Sequence, residues 1–231
     1  LAEKYNITRE DVDLYSVETQ SRAKSAMEEG RFSSEIVSVA VSTSKGGSLM
    51  MDVDEHPRPN VSMEQLSGLK PAFKSLGVVT AGNSAGINDG AAAVVVTSES
   101  RAREMELEPM AVIRSYATTA LDPRMMGLAP VRAIEKSLNR ACLNLSDIDL
   151  VEINEAFAAQ VLAVGREIGL NWSTTNVNGG AIALGHPIGA SGTRILTTLL
   201  HEMKRRHSQY GLASLCIGGG QGIAMVVEQS Y

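Results

Sequence analysis

The stretch Leu150-Val-Glu-Ile153-Asn154-Glu155-Ala-Phe157-Ala-Ala-Gln-Val161-Leu-Ala-Val164-Gly-Arg-Glu-Ile168 decides the reading of the fold. Its first four residues form a short run of strand character. From Ala156 the spacing changes. Phe157, Val161, Val164 and Ile168 recur at helical intervals and share one face. A strand therefore feeds a helix, and a polar pair, Asn154-Glu155, interrupts the apolar junction.

Outward from this unit the alternation continues. Ala111–Tyr116 reads as a strand and Val131–Cys142 as a helix, with Val131, Ile134, Leu138 and Cys142 on its apolar face. Asn176–Asn178 reads as a short strand, Ser191–Arg206 as a helix, and Leu212–Ile217 and Ile223–Glu228 as two strands joined by Gly218-Gly-Gly-Gln-Gly222. The order βαβαβαββ predicts a mostly parallel sheet covered by helices. Toward the N-terminus, residues 6–30 read as a helix. Thr8 and Asp11 have capping-box spacing, and Gly30 sits where a left-handed residue ends a helix. Glu35–Ser42 reads as a strand, residues 43–88 as a long irregular segment, and Ala91–Thr97 as a buried strand.

Composition limits the classes of function. The chain has 231 residues, 44% of them hydrophobic and 20% charged, which suits a globular protein rather than a disordered one. A net charge of −5 disfavours non-specific nucleic-acid binding, and Lys204-Arg205-Arg206-His207 reads as a solvated helix end. No run approaches 18 apolar residues, so no membrane span is expected. Leu1-Ala-Glu-Lys-Tyr5 has no signal-peptide character and no initiator Met, so the chain is expected to begin mid-protein, and a cytoplasmic location is expected. Two cysteines without a CxxC exclude a zinc ribbon, and Cys142 is expected in the core. His201-Glu202 begins like HExxH, but Arg205 stands at the second histidine position. No metal site is expected.

Three segments could carry chemistry, each just past an expected strand. Asn154 is either a helix cap or a site residue. In Asn178-Gly-Gly180-Ala-Ile-Ala-Leu-Gly185-His186-Pro187-Ile188-Gly189, the glycine spacing imitates a phosphate loop, but His186 and Pro187 replace its Lys and Ser/Thr. His186 is either a surface turn residue or a site residue. Cys216-Ile-Gly218-Gly-Gly220 sets a thiol beside N–H groups able to hold an oxyanion, or else buries a small apolar residue.

Together and in this order the three segments resemble the NEAF, NGG…GHPxG and CxGGG motifs of thiolases, with wording nearest the acetyl-CoA acetyltransferases. Asp54-Glu-His-Pro-Arg58, Leu69-Lys-Pro-Ala-Phe73 and Thr80-Ala81-Gly-Asn83-Ser84-Ala85-Gly-Ile-Asn88-Asp-Gly extend the resemblance upstream. The resemblance implies an α/β thiolase-like fold. Residues 1–84 would be the later part of the coenzyme A-binding loop domain, 85–108 the end of the N-terminal half, and 109–231 a complete C-terminal half. It implies an acyl-CoA acyltransferase that joins two acetyl-CoA into acetoacetyl-CoA and, in reverse, cleaves 3-ketoacyl-CoA. Coenzyme A is then a substrate and no cofactor is required.

By resemblance Cys216 is the acid/base and His186 activates a nucleophilic cysteine and helps hold a thioester oxygen. Asn154 fixes a water there, and the Gly218 N–H completes a second oxyanion hole. Arg58 is the adenine-side arginine. Leu69, Ala72, Phe73, Ala81, Met126, Phe157 and Ile188 wall the pantetheine and acyl pocket. Ser84 and Ala85 fall in the coenzyme A loop, where Ala85 replaces a serine hydroxyl of related enzymes. The acyl-accepting cysteine motif matches neither Cys142 nor Cys216, so the chain alone is expected to be inactive. The alternative is a non-catalytic coenzyme A-binding or assembly module working with a separately encoded half. Members of the family form dimers or tetramers, which implies a homo-oligomer.

Overall fold

The computed structural model describes residues 1–43 and 46–230. Helix α1 (Arg9–Glu28) starts on the capping box expected from sequence: Thr8 Oγ1 accepts from the Asp11 N–H, and the Asp11 carboxylate accepts from the Thr8 N–H. Gly30, at φ +68°, follows its C-cap. The inner face of α1 is largely polar, burying Asp13, Ser16, Thr19 and Gln20 beside Val12, Ala23 and Ala26.

The strand expected at Glu35–Ser42 begins only at Val39. Residues 32–36 turn instead, with the Glu35 and Ile36 N–H groups donating to Phe32 O. β1 (Val39–Ser42) pairs antiparallel with β2 (Ser48–Met51). The segment expected to be irregular thus holds β2 and also α2 (Met63–Ser67), which has its own Ser62–Gln65 capping box. Ala91–Thr97 is not a strand. No strand among the described residues lies alongside to take its N–H and C=O groups, and Val95 is 93% exposed. α3 (Glu99–Glu104) follows.

From residue 111 the chain builds one four-stranded sheet. Its elements are β3 (Ala111–Ala120), α4 (Ala129–Ala141), β4 (Leu150–Ile153), α5 (Ala158–Ile168), α6 (Ala181–Leu184), α7 (Ser191–Arg206), β5 (Tyr210–Ile217) and β6 (Gln221–Gln229). The sheet order is β3-β6-β5-β4. Only β4 and β5 run parallel; β6 is antiparallel to both β5 and β3. The expectation of a mostly parallel sheet fails because the three-glycine turn makes β5 and β6 a hairpin.

The strand expected at Asn176–Asn178 is reduced to one parallel bridge, Val151 to Thr175. Asn176 lies at φ +48°, and its side-chain amide continues the ladder. Oδ1 accepts from the Ile153 N–H at 2.8 Å and Nδ2 donates to Ile153 O at 2.9 Å. Cys142, expected in the core, is exposed. It caps α4 at φ +56°, and the left-handed turn swings it off the helix face.

Alternation along the strands feeds two apolar layers. Val151, Ile153, Leu212, Ala224 and Val226 face Ile134 and Leu138 of α4 and Val161 and Val164 of α5. Leu150, Ala213 and Val227 face Ile195, Leu199 and Met203 of α7 on the other side. No helix among the described residues is long and apolar enough to cross a membrane.

The two kinds of valine and leucine site should separate on truncation. Leu212→Ala, fully buried between α4 and α5, is expected to cost about 2–5 kcal/mol. Val95→Ala is expected to stay within about 0.5 kcal/mol. Urea unfolding followed by circular dichroism measures both, and equal losses would contradict the packing described.

Candidate active site

Asn154 extends the parallel pairing one step past β4, its N–H donating to Ser214 O at 3.0 Å. It is not a helix cap. α5 begins four residues later, with Phe157 at the cap position and no side-chain cap bond. Asn154 is fully buried, and its Nδ2 lies 3.4 Å from His186 Nε2, while its Oδ1 has no partner.

His186 is not a surface turn residue either. Gly185, at φ +96°, lets the chain pass Asn88, whose Oδ1 would lie 2.5 Å from any Cβ there. The His186 N–H then donates to Gly86 O at 2.9 Å, and Nδ1 lies 2.6 Å from Ser191 Oγ at the first turn of α7. Burial and, secondarily, the nearby Arg194 charge push the imidazole below its ordinary pKa, so it is neutral near pH 7.

The residue missed by sequence reasoning is Glu155, fully buried beside Asn154. Its carboxylate accepts from Tyr15 Oη at 2.7 Å, Thr19 Oγ1 at 3.0 Å, Asn176 Nδ2 at 2.9 Å and the Ile182 N–H at 3.2 Å. Gly180 must lack a side chain, since a Cβ would lie 2.2 Å from the Glu155 carboxyl carbon. A charged residue inside an apolar strand–helix junction was the available signal. Its partners lie too far along the chain to be read from sequence.

Cys216 sits at the carboxyl end of β5, opposite Gly222 of β6. Because β4 and β5 run parallel, with Ile153 opposite Ser214, Cys216 and Asn154 share one edge of the sheet. No hydrogen bond joins Cys216 to His186 among the described residues. Cys216 is 7% exposed, and burial pushes its thiol above the ordinary pKa. Gly218 and Gly219 are exposed, and a Cβ on Gly218 would meet nothing within 4 Å. Gly220, at φ +88°, packs on the Leu121 carbonyl and accepts from the Leu121 N–H at 2.9 Å.

The expected substrate-binding residues fall into three groups. Phe73, Met126 and Phe157 line one cavity of about 620 Å³, with Lys74 and Arg124 also in its wall. The Phe73 and Phe157 rings meet edge to face at 6.5 Å. Ser84, Ala85, Leu69, Ala72 and Ala81 lie around this region without lining that cavity. The loop at 83–85 zips onto residues 156–158: Ser84 bridges Phe157, the Ala85 N–H donates to Ala156 O, and the Ala158 N–H donates to Asn83 O. Ser84 Oγ is used internally, donating to Thr80 O at 2.7 Å. The Ala72 N–H donates to Val79 O, and Leu69 packs over Gly82 beside the exposed Ala81. Arg58 and Ile188 stand apart. Arg58 is exposed with its N–H on Gln20 Oε1, and Ile188 is 70% exposed.

A second cavity, about 770 Å³ and not anticipated, is lined by acidic and basic groups including Glu35, Asp54, His56 and Arg194. Burial raises Glu35 to about 7, and it also raises Asp54.

The two thiols should therefore differ in reactivity. A raised pKa leaves Cys216 with less thiolate at neutral pH, and burial slows access further. Timed alkylation with iodoacetamide, read by mass spectrometry, is expected to modify Cys142 first. The rate at Cys216 should still be climbing above pH 9. Faster labelling of Cys216 at pH 7 would contradict this environment.

Comparison with known proteins agrees with this architecture. A family model for the thiolase C-terminal domain matches residues 107–229, and one for the thiolase N-terminal domain matches residues 1–100. Acetyl-CoA acetyltransferase of Cupriavidus necator is 54% identical over 229 residues, 99% of this chain and 58% of that protein. A probable acetyl-CoA acyltransferase of Staphylococcus aureus has the same identity and coverage. Among solved structures, Bacillus anthracis acetyl-CoA acetyltransferase superposes with a TM-score of 0.97 at 46% identity, covering 99% of this chain and 58% of that one. Human mitochondrial 3-ketoacyl-CoA thiolase in complex with CoA gives 0.92 at 46% identity, covering 99% of this chain and 57% of that one. The chain thus spans 58% of the length of the curated relatives it matches. Both halves of the chain match thiolase models, and the fold is that of solved thiolases: the chain belongs to the thiolase family.

Proposed function

We propose that this chain supplies the C-terminal catalytic elements of an acyl-CoA acyltransferase that condenses two acetyl-CoA into acetoacetyl-CoA and, in reverse, cleaves 3-ketoacyl-CoA with coenzyme A. The observation that carries the reading is the pairing of buried Asn154 with half-buried His186, at the carboxyl ends of β4 and β5 where Cys216 also lies. The names of the relatives, acetyl-CoA acetyltransferase among them, support the choice of substrate.

In the proposed reaction an acyl-CoA passes its acyl group to a cysteine nucleophile and coenzyme A leaves as the thiol, taking its proton from Cys216. Neither cysteine of this chain has that nucleophile's sequence context. His186 takes the nucleophile's proton, and it needs to be neutral to do so. The Cys216 thiolate then removes a proton from the methyl of acetyl-CoA, and the carbanion attacks the acyl-enzyme. A carbon–carbon bond forms and the cysteine is released. Asn154 holds a water that, with His186, faces the thioester oxygen of the second substrate. The Gly218 N–H faces the oxyanion of the acyl-enzyme. A donor of this kind is worth roughly 10²–10³ in rate.

Phe73, Met126 and Phe157 wall the pantetheine and acyl end, and Arg58 lies at the adenine end. Ser84 and Ala85 place the coenzyme A loop by backbone pairing, without the serine hydroxyl of related enzymes. The working protein is a homo-oligomer in the cytoplasm.

The test is an assay of acetoacetyl-CoA cleavage by this chain, beside a version extended at its N-terminus to the length of the relatives. No turnover is expected from the chain alone, and full turnover from the extended protein. In the latter, His186→Ala and Cys216→Ala should each lower kcat by roughly 10²–10⁴. An extended protein that binds coenzyme A by calorimetry but never turns over would favour the non-catalytic module. Cleavage by the chain alone would overturn the placement of the nucleophile.

A further inference from the structure

Ser191 Oγ lies 2.6 Å from His186 Nδ1 and 2.9 Å from Pro187 O. A hydroxyl has one proton, and a carbonyl oxygen can only accept. With the Ser191 proton on Pro187 O, the contact to the ring requires the proton to sit on Nδ1. On the other side of the ring, Asn154 Nδ2 can only donate, and it faces Nε2 at 3.4 Å. Two contacts from different elements, the first turn of α7 and the end of β4, are therefore both met by the same ring state. We propose that Ser191 is a positioning residue that fixes His186 as its Nδ1–H tautomer, with the Nε2 lone pair turned toward Asn154.

The setting suits such a lock. Ser191 is 1% exposed, and its backbone N–H also donates to Pro187 O, at 2.8 Å. The hydroxyl is thus pinned by the same turn that carries the histidine, and it cannot rotate away without leaving both contacts. The His186 backbone is held independently by Gly86 O. The ring is neutral near pH 7, for the reasons given above, so the choice between two neutral tautomers is a real one.

The consequence concerns the order of proton transfers, and it rests on the acyl-transfer reading. A bare Nε2 accepts first. A thiol S–H proton moves to Nε2, the bonding pair stays on sulfur as thiolate, and the other ring proton stays on Nδ1, donated to Ser191 Oγ. Only the resulting imidazolium has an Nε2–H to offer a thioester oxygen. The alternative tautomer would present a donor at Nε2 and no base.

The test reads ring protonation rather than turnover, so its failure is distinguishable from failure of the acyl-transfer reading. Two-bond 1H–15N correlation spectra of the 15N-labelled chain are recorded above the titration of the ring. The signals of His186, one of four histidines, are assigned by their loss in His186→Asn. Wild type is expected to give protonated Nδ1 and unprotonated Nε2. Ser191→Ala should shift the tautomer ratio roughly three- to tenfold toward Nε2–H, the worth of one hydrogen bond. Ser191→Thr should restore it. Unprotonated Nδ1 in the wild type, with the Asn154 amide turned over to accept from Nε2–H, would overturn the proposal. So would an unchanged ratio in Ser191→Ala. If Ser191→Ala does not fold, the wild-type spectrum decides by itself.

Discussion

The site depends on one buried charge. A carboxylate taken out of water costs several kcal/mol unless its oxygens are satisfied. Glu155 offsets that cost with four donors from three places: Tyr15 and Thr19 on α1, Asn176 beside β4, and the backbone at the start of α6. The carboxylate and Tyr15 also fix one another. Burial and the Glu155 charge push the phenol far above its ordinary pKa, so it stays a donor. α1 is thereby tied to the sheet edge through Tyr15 and Thr19, while its other buried polar residues reach further loops, Asp13 accepting from Asn83 Nδ2 and Gln20 Nε2 donating to Ile182 O. Asn154 precedes Glu155 directly, and the 176–185 loop that leads to His186 is held by the same carboxylate.

The mixed sheet then sets where chemistry can occur. A single parallel pair, β4 with β5, brings two carboxyl ends together, and Asn154 and Cys216 lie there. The hairpin to β6 closes the other side of β5, and its glycine turn rests on Leu121. After the single Val151–Thr175 bridge the Asn176 side-chain amide takes over the pairing, so the chain reaches His186 through a turn and α6 rather than along a ladder.

Beneath α7 a second set of charges tunes the surroundings. Glu152, fully buried, is pushed up to about 8 by burial, against the pull of Arg194 at 3.8 Å. Burial also opposes ionisation of Glu202, but hydrogen bonds from Arg205, Asn178 and Arg206 bring it down to about 2. Arg194 is the link to the site, since its charge adds to the burial that keeps His186 neutral.

Local chemistry was legible in the sequence. The Thr8–Asp11 box and Gly30 bound α1, and apolar spacing bounded α7 at Ser191–Arg206, because caps and periodicity act within a turn or two of chain. The three motifs named the family and the residues to watch for the same reason: each is a contiguous run. What the sequence left open needed distant partners. Ala91–Thr97 is as apolar as a strand, yet pairing takes a neighbour, and none lies beside it among the described residues. Cys142 had a core position by periodicity until one left-handed residue turned it outward. Strand direction followed from the hairpin, and the role of Glu155 from donors more than a hundred residues away along the chain. A buried charge is stable only where its partners converge, and that convergence belongs to the tertiary structure alone.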